Sequence, residues 1–136
     1  MKIVVLKFGG TSVGTIEKIK KVTDIIIEHK KKKNKVIVVS SAMSGVTNDL
    51  IKKSKQISNN FIDSEYDVLV SSGEQVACSL IAGRLNHKGF KSRSWLGWQI
   101  PIFTNGPYTN SRIQQVNKNK LLRFLKEGGI LSLIHI

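Results

Sequence analysis

Ile3-Val4-Val5-Leu6-Lys7-Phe8-Gly9-Gly10-Thr11-Ser12-Val13-Gly14-Thr15 is the stretch that decides the fold. Ile3 to Phe8 form a short apolar run of strand length, closed by a Gly-Gly pair that ends it in a tight turn. Beyond Gly14, residues Ile16, Ile19, Val22 and Ile26 recur at helical spacing. Thr15 stands where a hydroxyl can accept from the free N–H groups of that helix. A strand, a glycine turn and a helix in succession open an α/β unit. The cationic run Lys30 to Lys33, with Asn34 and Lys35, reads as a charged turn at the helix carboxyl end, where the macrodipole favours positive charge.

The same pattern repeats outward. Val36-Ile37-Val38-Val39 is a second β-branched strand, followed by the hydroxyl-rich loop Ser40-Ser41-Ala42-Met43-Ser44-Gly45. Helices are predicted around Asn48 to Ile57, from Asp63 to Ser72 and from Glu74 to His87. In the last, Val76, Ala77, Leu80, Ile81 and Leu85 share a face and Gly89 supplies the carboxyl cap. Phe90 to Leu96 reads as a third strand, and Ile100 to Phe103 as a short one confined by Pro101 to an edge or a bulge. Asn117 to Lys126 reads as a helix ended by Gly128-Gly129, and Ile130 to Ile136 as a final strand. Alternating strands and helices imply an α/β fold with a mostly parallel sheet. A buried parallel strand is usually followed by a helix that covers the sheet. An ending inside Ile130 to Ile136 therefore predicts a truncated fold.

With 136 residues the chain has the length of one domain, and its 40% hydrophobic content suffices for a core. Twenty-two Lys and Arg against nine Asp and Glu give a formal charge of +13. Such an excess raises polyanions as partners, but eighteen of the cations are Lys and only four are Arg. A Lys-heavy excess fits solvated faces at least as well as nucleic acid. The single Cys78 excludes an intrachain disulfide and any Cys-based zinc site, and His29, His87 and His135 lack ligand-spaced partners. No apolar run approaches the ~20 residues of a membrane span. The expectation is a cytoplasmic protein with no membrane partner, and with no nucleic acid as the preferred reading of the charge rather than an excluded one.

Three segments could form a site. After the first strand, Gly9 and Gly14 have P-loop spacing, but Thr15-Ile16 stands where that motif needs Lys-Ser/Thr, and the nearby cation, Lys7, precedes the glycines. The segment is either a different phosphate cradle of converging amides or a plain glycine turn. The second loop, Ser40 to Asn48, would face the same ligand if the two strands are parallel, because ligands bind outside the carboxyl ends of such strands. Alternatively Ser44, Thr47 or Asn48 simply caps the next helix. The third, Ser71-Ser72-Gly73-Glu74, is either a capping box or a carboxylate placed for a ligand ammonium. Trp95, Trp98 and Phe103 read as core or sheet-packing residues, and Cys78 as a small buried one.

Lys7-Phe8-Gly9-Gly10-Thr11-Ser12-Val13-Gly14, Val39 to Asn48, Ser72-Gly73-Glu74 and Gly97-Trp98-Gln99 occur together in an order that resembles aspartokinases, within the amino-acid kinase family. The resemblance implies a three-layer α/β/α amino-acid kinase fold. Residues 1–130 would be its amino-terminal part and 131–136 a non-matching tail. It also implies transfer of the ATP γ-phosphoryl group, with Mg²⁺, to the side-chain carboxylate of L-aspartate. By similarity Lys7 neutralises charge on the transferred group. Lys7, Phe8, Gly9, Gly10, Thr11, Ser12 and Ser41 hold the nucleotide phosphates, and Thr47 and Glu74 contact the substrate. A homo-oligomer is implied for the full-length protein. Thr104-Asn105 stands where the family has Thr-Asp, and the family's later Gly-Phe-x-Gly and Gly-rich segments have no counterpart, so the chain alone is expected to be inactive. Two other readings stay open: a small basic nucleic-acid-binding module, and another amino-acid kinase such as acetylglutamate kinase.

Overall fold

The computed structural model describes residues 2–134. Along it run β1 (Ile3–Phe8), α1 (Ile16–Lys31), β2 (Lys35–Ser40), α2 (Val46–Ile57), α3 (Asp63–His87), β3 (Ser92–Trp95), β4 (Ile102–Asn105), β5 (Arg112–Val116), α4 (Asn119–Lys126) and β6 (Ile130–Ile134). Residues 135 and 136 of the expected final strand lie outside the described residues. Four strands form one parallel sheet in the order β1-β2-β6-β3, while β4 and β5 form a separate antiparallel hairpin.

Strand alternation divides the apolar residues between two cores. Val36, Val38 and Ile130 face one side, where they pack with Ile19, Val22 and Ile26 of α1 and Ala77, Ile81 and Leu85 of α3. Leu131 faces the other side with Trp95, Ile100 and Leu125, and Ile37 and Leu133 pack against that group. Helices therefore lie on both faces, α1 and α3 on one and α4 on the other. The sheet is sandwiched as the α/β expectation requires.

The last strand is central. β6 lies between β2 and β3, with Ile37 opposite Leu131 and Ser92 opposite Ile130. Its one polar residue, Ser132, is fully buried and donates to the Cys78 carbonyl at 2.8 Å, which ties β6 to α3 and satisfies the hydroxyl. Between the helices, Arg84 Nε donates to the buried Thr23 Oγ1 at 2.8 Å.

Several expectations need correction. The two helices predicted on either side of Gly73 are one continuous helix of 25 residues, closed at Gly89 with φ +81°. Ser71 consequently lies mid-helix and donates to the Val68 carbonyl at 3.0 Å, so the capping box does not form. A hydroxyl bonded back to its own turn is no longer available to an N-terminus. Of the residues expected on one face of that helix, Ala77, Ile81 and Leu85 are buried whereas Val76 and Leu80 are exposed. Pro101 precedes its strand rather than interrupting it, and β5 was not expected at all. Trp95 is buried as predicted, but Trp98 is 77% exposed and Phe103 56%, so neither is a core residue.

Candidate active site

β1 and β2 are parallel neighbours with Phe8 opposite Ser40, so the loops leaving their carboxyl ends emerge side by side. The Ser41 N–H donates to the Phe8 carbonyl at 3.1 Å, carrying the pairing into the loops. The Ser12 N–H then closes a turn on the Gly9 carbonyl at 2.9 Å. The chain next enters α1 through Thr15, whose hydroxyl accepts from the Lys18 N–H at 3.2 Å, the expected cap.

Close approach explains the glycine at position 10. A β-carbon there would lie 2.9 Å from the Ala42 carbonyl oxygen, nearer than real β-carbons come. Only a hydrogen lets the first loop lie against the second. The second loop turns into α2 through Gly45, at φ +84°, with no side-chain hydrogen bond at the cap. The alternative role for Ser44, Thr47 and Asn48 as helix caps is therefore not realised among the described residues, and all three line a cavity instead.

Gly73 does the same on α3. It is buried, and a β-carbon would come within 2.9 Å of Val46 Cγ1 and 3.2 Å of Ala42 Cβ. The helix can thus pass directly over the second loop and the start of α2. Glu74 follows, half-buried, and enters the same cavity.

The cavity measures about 390 Å³. Gly10 and Thr11 contribute from the first loop, Ser41 and Ser44 from the second, Thr47 from α2 and Glu74 from α3. Ala42, Met43, Gly45 and Asn48 complete the lining, in which Glu74 is the one titratable side chain. The Glu74 carboxylate also acts on its surroundings. Burial and this charge, in that order, push the Cys78 thiol one turn below up to about 11. That thiol is fully buried and bonded to the Gln75 carbonyl, so it is no nucleophile at neutral pH.

The structure thus brings together Gly10, Thr11, Ser41, Thr47 and Glu74. Lys7, Phe8, Gly9 and Ser12 adjoin the cavity in sequence without lining it. Phe8 packs against the α1–α3 core. Lys7 is exposed and, by strand alternation, shares the opposite face of β1 with Ile3 and Val5. Lys7 and Glu74 therefore approach the strand ends from opposite sides of the sheet.

One residue escaped the sequence reading. Lys18 Nζ donates to the Thr11 carbonyl at 2.9 Å, which places a second cation at the glycine loop. The available signal was its position three residues past the Thr15 cap, one turn into α1 on the side of the loop. Two lines bear on metal binding: the lining offers a single carboxylate, and no group of three or more His, Cys, Asp or Glu among the described residues could hold an ion. The described residues therefore form no metal cage of their own.

Residues 2–135 match the model of the amino acid kinase family. The aspartokinase of Geobacillus stearothermophilus is 46% identical over 131 residues, covering 96% of this chain and 32% of the relative. Among solved structures, the aspartate kinase from Synechocystis superposes with a TM-score of 0.83 at 34% identity, over 98% of this chain and 21% of that one. Aspartokinase III of E. coli in complex with aspartate and ADP has a TM-score of 0.74 at 22% identity, over 96% of this chain and 40% of that one, a likeness of fold. The chain spans about a third of the length of the curated relatives it matches.

Proposed function

Because the chain belongs to the amino acid kinase family, we propose that it is the amino-terminal part of an aspartate kinase. The reaction transfers the γ-phosphoryl group of ATP to the side-chain carboxylate of L-aspartate and yields 4-phospho-L-aspartate and ADP. It would serve as the first step toward lysine, threonine and methionine. The observation that carries this reading is the single cavity in which the Gly10 loop, the Ser41 loop and Glu74 converge.

The chemistry asks little of the protein in proton transfer. A carboxylate with a reference pKa of ~3.9 is already an ionised nucleophile at neutral pH, so no general base is required. A carboxylate oxygen forms the bond to the γ-phosphorus while the bond to the β–γ bridging oxygen breaks, and ADP leaves with the electron pair. The protein must hold two anions in line and offset their charge. In this proposal the amides and hydroxyls of Gly9, Gly10, Thr11, Ser12 and Ser41 cradle the phosphates, and Phe8 contributes backbone at the strand end. Lys7 offsets charge on the transferred group from the far side of β1. Thr47 and Glu74 hold the amino acid, Glu74 receiving its α-ammonium group. Mg²⁺ would arrive with ATP, held by the nucleotide phosphates.

For the complete protein we propose a cytoplasmic homo-oligomer. No described helix is long and apolar enough to cross a membrane. A hydroxamate assay on the reading frame continued through a complete kinase domain tests the function. With ATP and hydroxylamine, aspartate should give product while glutamate and acetylglutamate give none, and Lys7→Met should abolish turnover. A preference for glutamate or acetylglutamate would sink the assignment. Residues 1–136 alone should turn over no ATP.

A further inference from the structure

A second cavity, of about 700 Å³, lies away from the strand-end loops, between β3, the segment before β4, and α4. We propose that it binds a small anionic ligand carrying a planar aromatic ring, of which a nucleoside monophosphate is the simplest form. It shares no lining residue with the cavity at Glu74, so the inference stands apart from the kinase reading.

Three cations converge on it: Arg93 from β3, and Lys120 and Arg123 from α4. The one carboxylate in the lining, Glu127, accepts from Lys91 at 2.7 Å, and that hydrogen bond first, then the charges of Lys91 and Arg123, hold its carboxyl below the usual range. The cavity therefore carries a net positive field that its own acid does not cancel. Arg93 is ordered for anion binding. Its guanidinium lies 4.4 Å over the Trp95 ring, and it has no hydrogen-bond or ion-pair partner among the described residues. A guanidinium stacked on an aromatic face keeps its in-plane N–H donors available for a phosphate or carboxylate.

The aromatic half of the proposal comes from Trp98. It is 77% exposed, belongs to neither core cluster, and sits on the cavity wall. An indole offered to water beside three cations is a stacking surface for a planar ring. Trp95 forms the inner wall, 5% exposed and braced edge-on by Phe124 at 5.8 Å. The volume is that of small-ligand pockets, roughly 300–1,000 Å³.

The chain has two tryptophans, and both line this cavity while the Glu74 cavity has none, so their fluorescence reports this site alone. The test titrates adenosine monophosphate into the 136-residue protein and follows tryptophan emission, excited at the red edge of the band. The expected result is saturable quenching. Arg123→Gln and Lys120→Gln should each weaken it about tenfold, the effect of one charge-assisted contact. Trp98→Ala should weaken binding too, as read by calorimetry, and the far-ultraviolet circular dichroism of each variant should match the parent. Adenosine, lacking the charge, and inorganic phosphate, lacking the ring, should both bind more weakly. Absence of saturable quenching overturns the proposal, as does adenosine or phosphate binding as tightly as the nucleotide. Unchanged affinity in both charge variants would also overturn it.

Discussion

Gly10 and Ala42 meet backbone to backbone: a β-carbon on Gly10 would lie 2.9 Å from the Ala42 carbonyl oxygen. The contact fuses the two strand-end loops into one wall of the candidate site. Gly10→Ala should therefore separate them, at about 1–3 kcal/mol of overpacking strain. Gly9 next door has no left-handed backbone, and a β-carbon added to it would meet nothing within 4 Å. Gly9→Ala should accordingly change stability by less than ~0.5 kcal/mol. Urea midpoints of the two variants check this. Equal destabilisation would show that the loop contact is not the constraint.

Lys18 holds the first loop through the Thr11 carbonyl. Both groups are exposed, so water competes and the bond is worth only ~1 kcal/mol. Lys18→Gln should speed amide hydrogen exchange across residues 11–14 about fivefold, with Lys18→Arg close to the parent. Unaltered exchange in Lys18→Gln would mean that the turn closed by Ser12 and Gly9 holds the loop unaided.

Cys78 gives the protein an alkaline dependence. Burial first, and the Glu74 charge second, raise its thiol from 9.0 to about 11. The folded state thus holds the proton more tightly than the unfolded one. The linked stability is fully present below pH 9 and is lost as pH rises from 9 to 11, by roughly 2–3 kcal/mol. Urea stability at pH 8 and pH 10, compared with Cys78→Ala, isolates this loss from lysine titration. Glu74→Gln should reduce it. Equal pH slopes in parent and Cys78→Ala would refute the shift.

Much of the architecture was legible because burial follows the expected periods: every second residue along Ile3–Phe8 and Lys35–Ser40, and Ile19, Val22 and Ile26 along α1. Spatial order was not. Nothing in Ile130–Ile134 says that it inserts between β2 and β3, since sequence order carries no information about the neighbour a strand selects. β5 escaped because Arg112–Val116 is exposed at every position and shows no inside–outside alternation. At the site, the residue types of Thr11, Ser41, Thr47 and Glu74 were readable. Their convergence depends on close approaches at Gly10 and Gly73, which only the packed fold reveals.

Ser71 offers the sharpest separation between pattern and packing. Ser71-x-x-Glu74 matches a capping box, in which replacing the serine by alanine costs about 0.5–2 kcal/mol. In the continuous Asp63–His87 helix, the hydroxyl instead donates to Val68 of its own turn. Such a bond adds little to a helix whose backbone is already paired. Alanine is the better helix former by up to ~0.5 kcal/mol, so Ser71→Ala should be neutral or slightly stabilising. The run Ser71-Ser72-Gly73 persists inside a helix because Gly73 is needed where α3 crosses Val46 and Ala42, and tertiary packing overrides its ~1 kcal/mol propensity penalty. Gly73→Ala should then reverse the usual helix preference, destabilising by about 1–3 kcal/mol through its clash with Val46 Cγ1. Thermal unfolding of the two variants reads both signs. A costly Ser71→Ala beside a stabilising Gly73→Ala would mean that the helix breaks at this point after all.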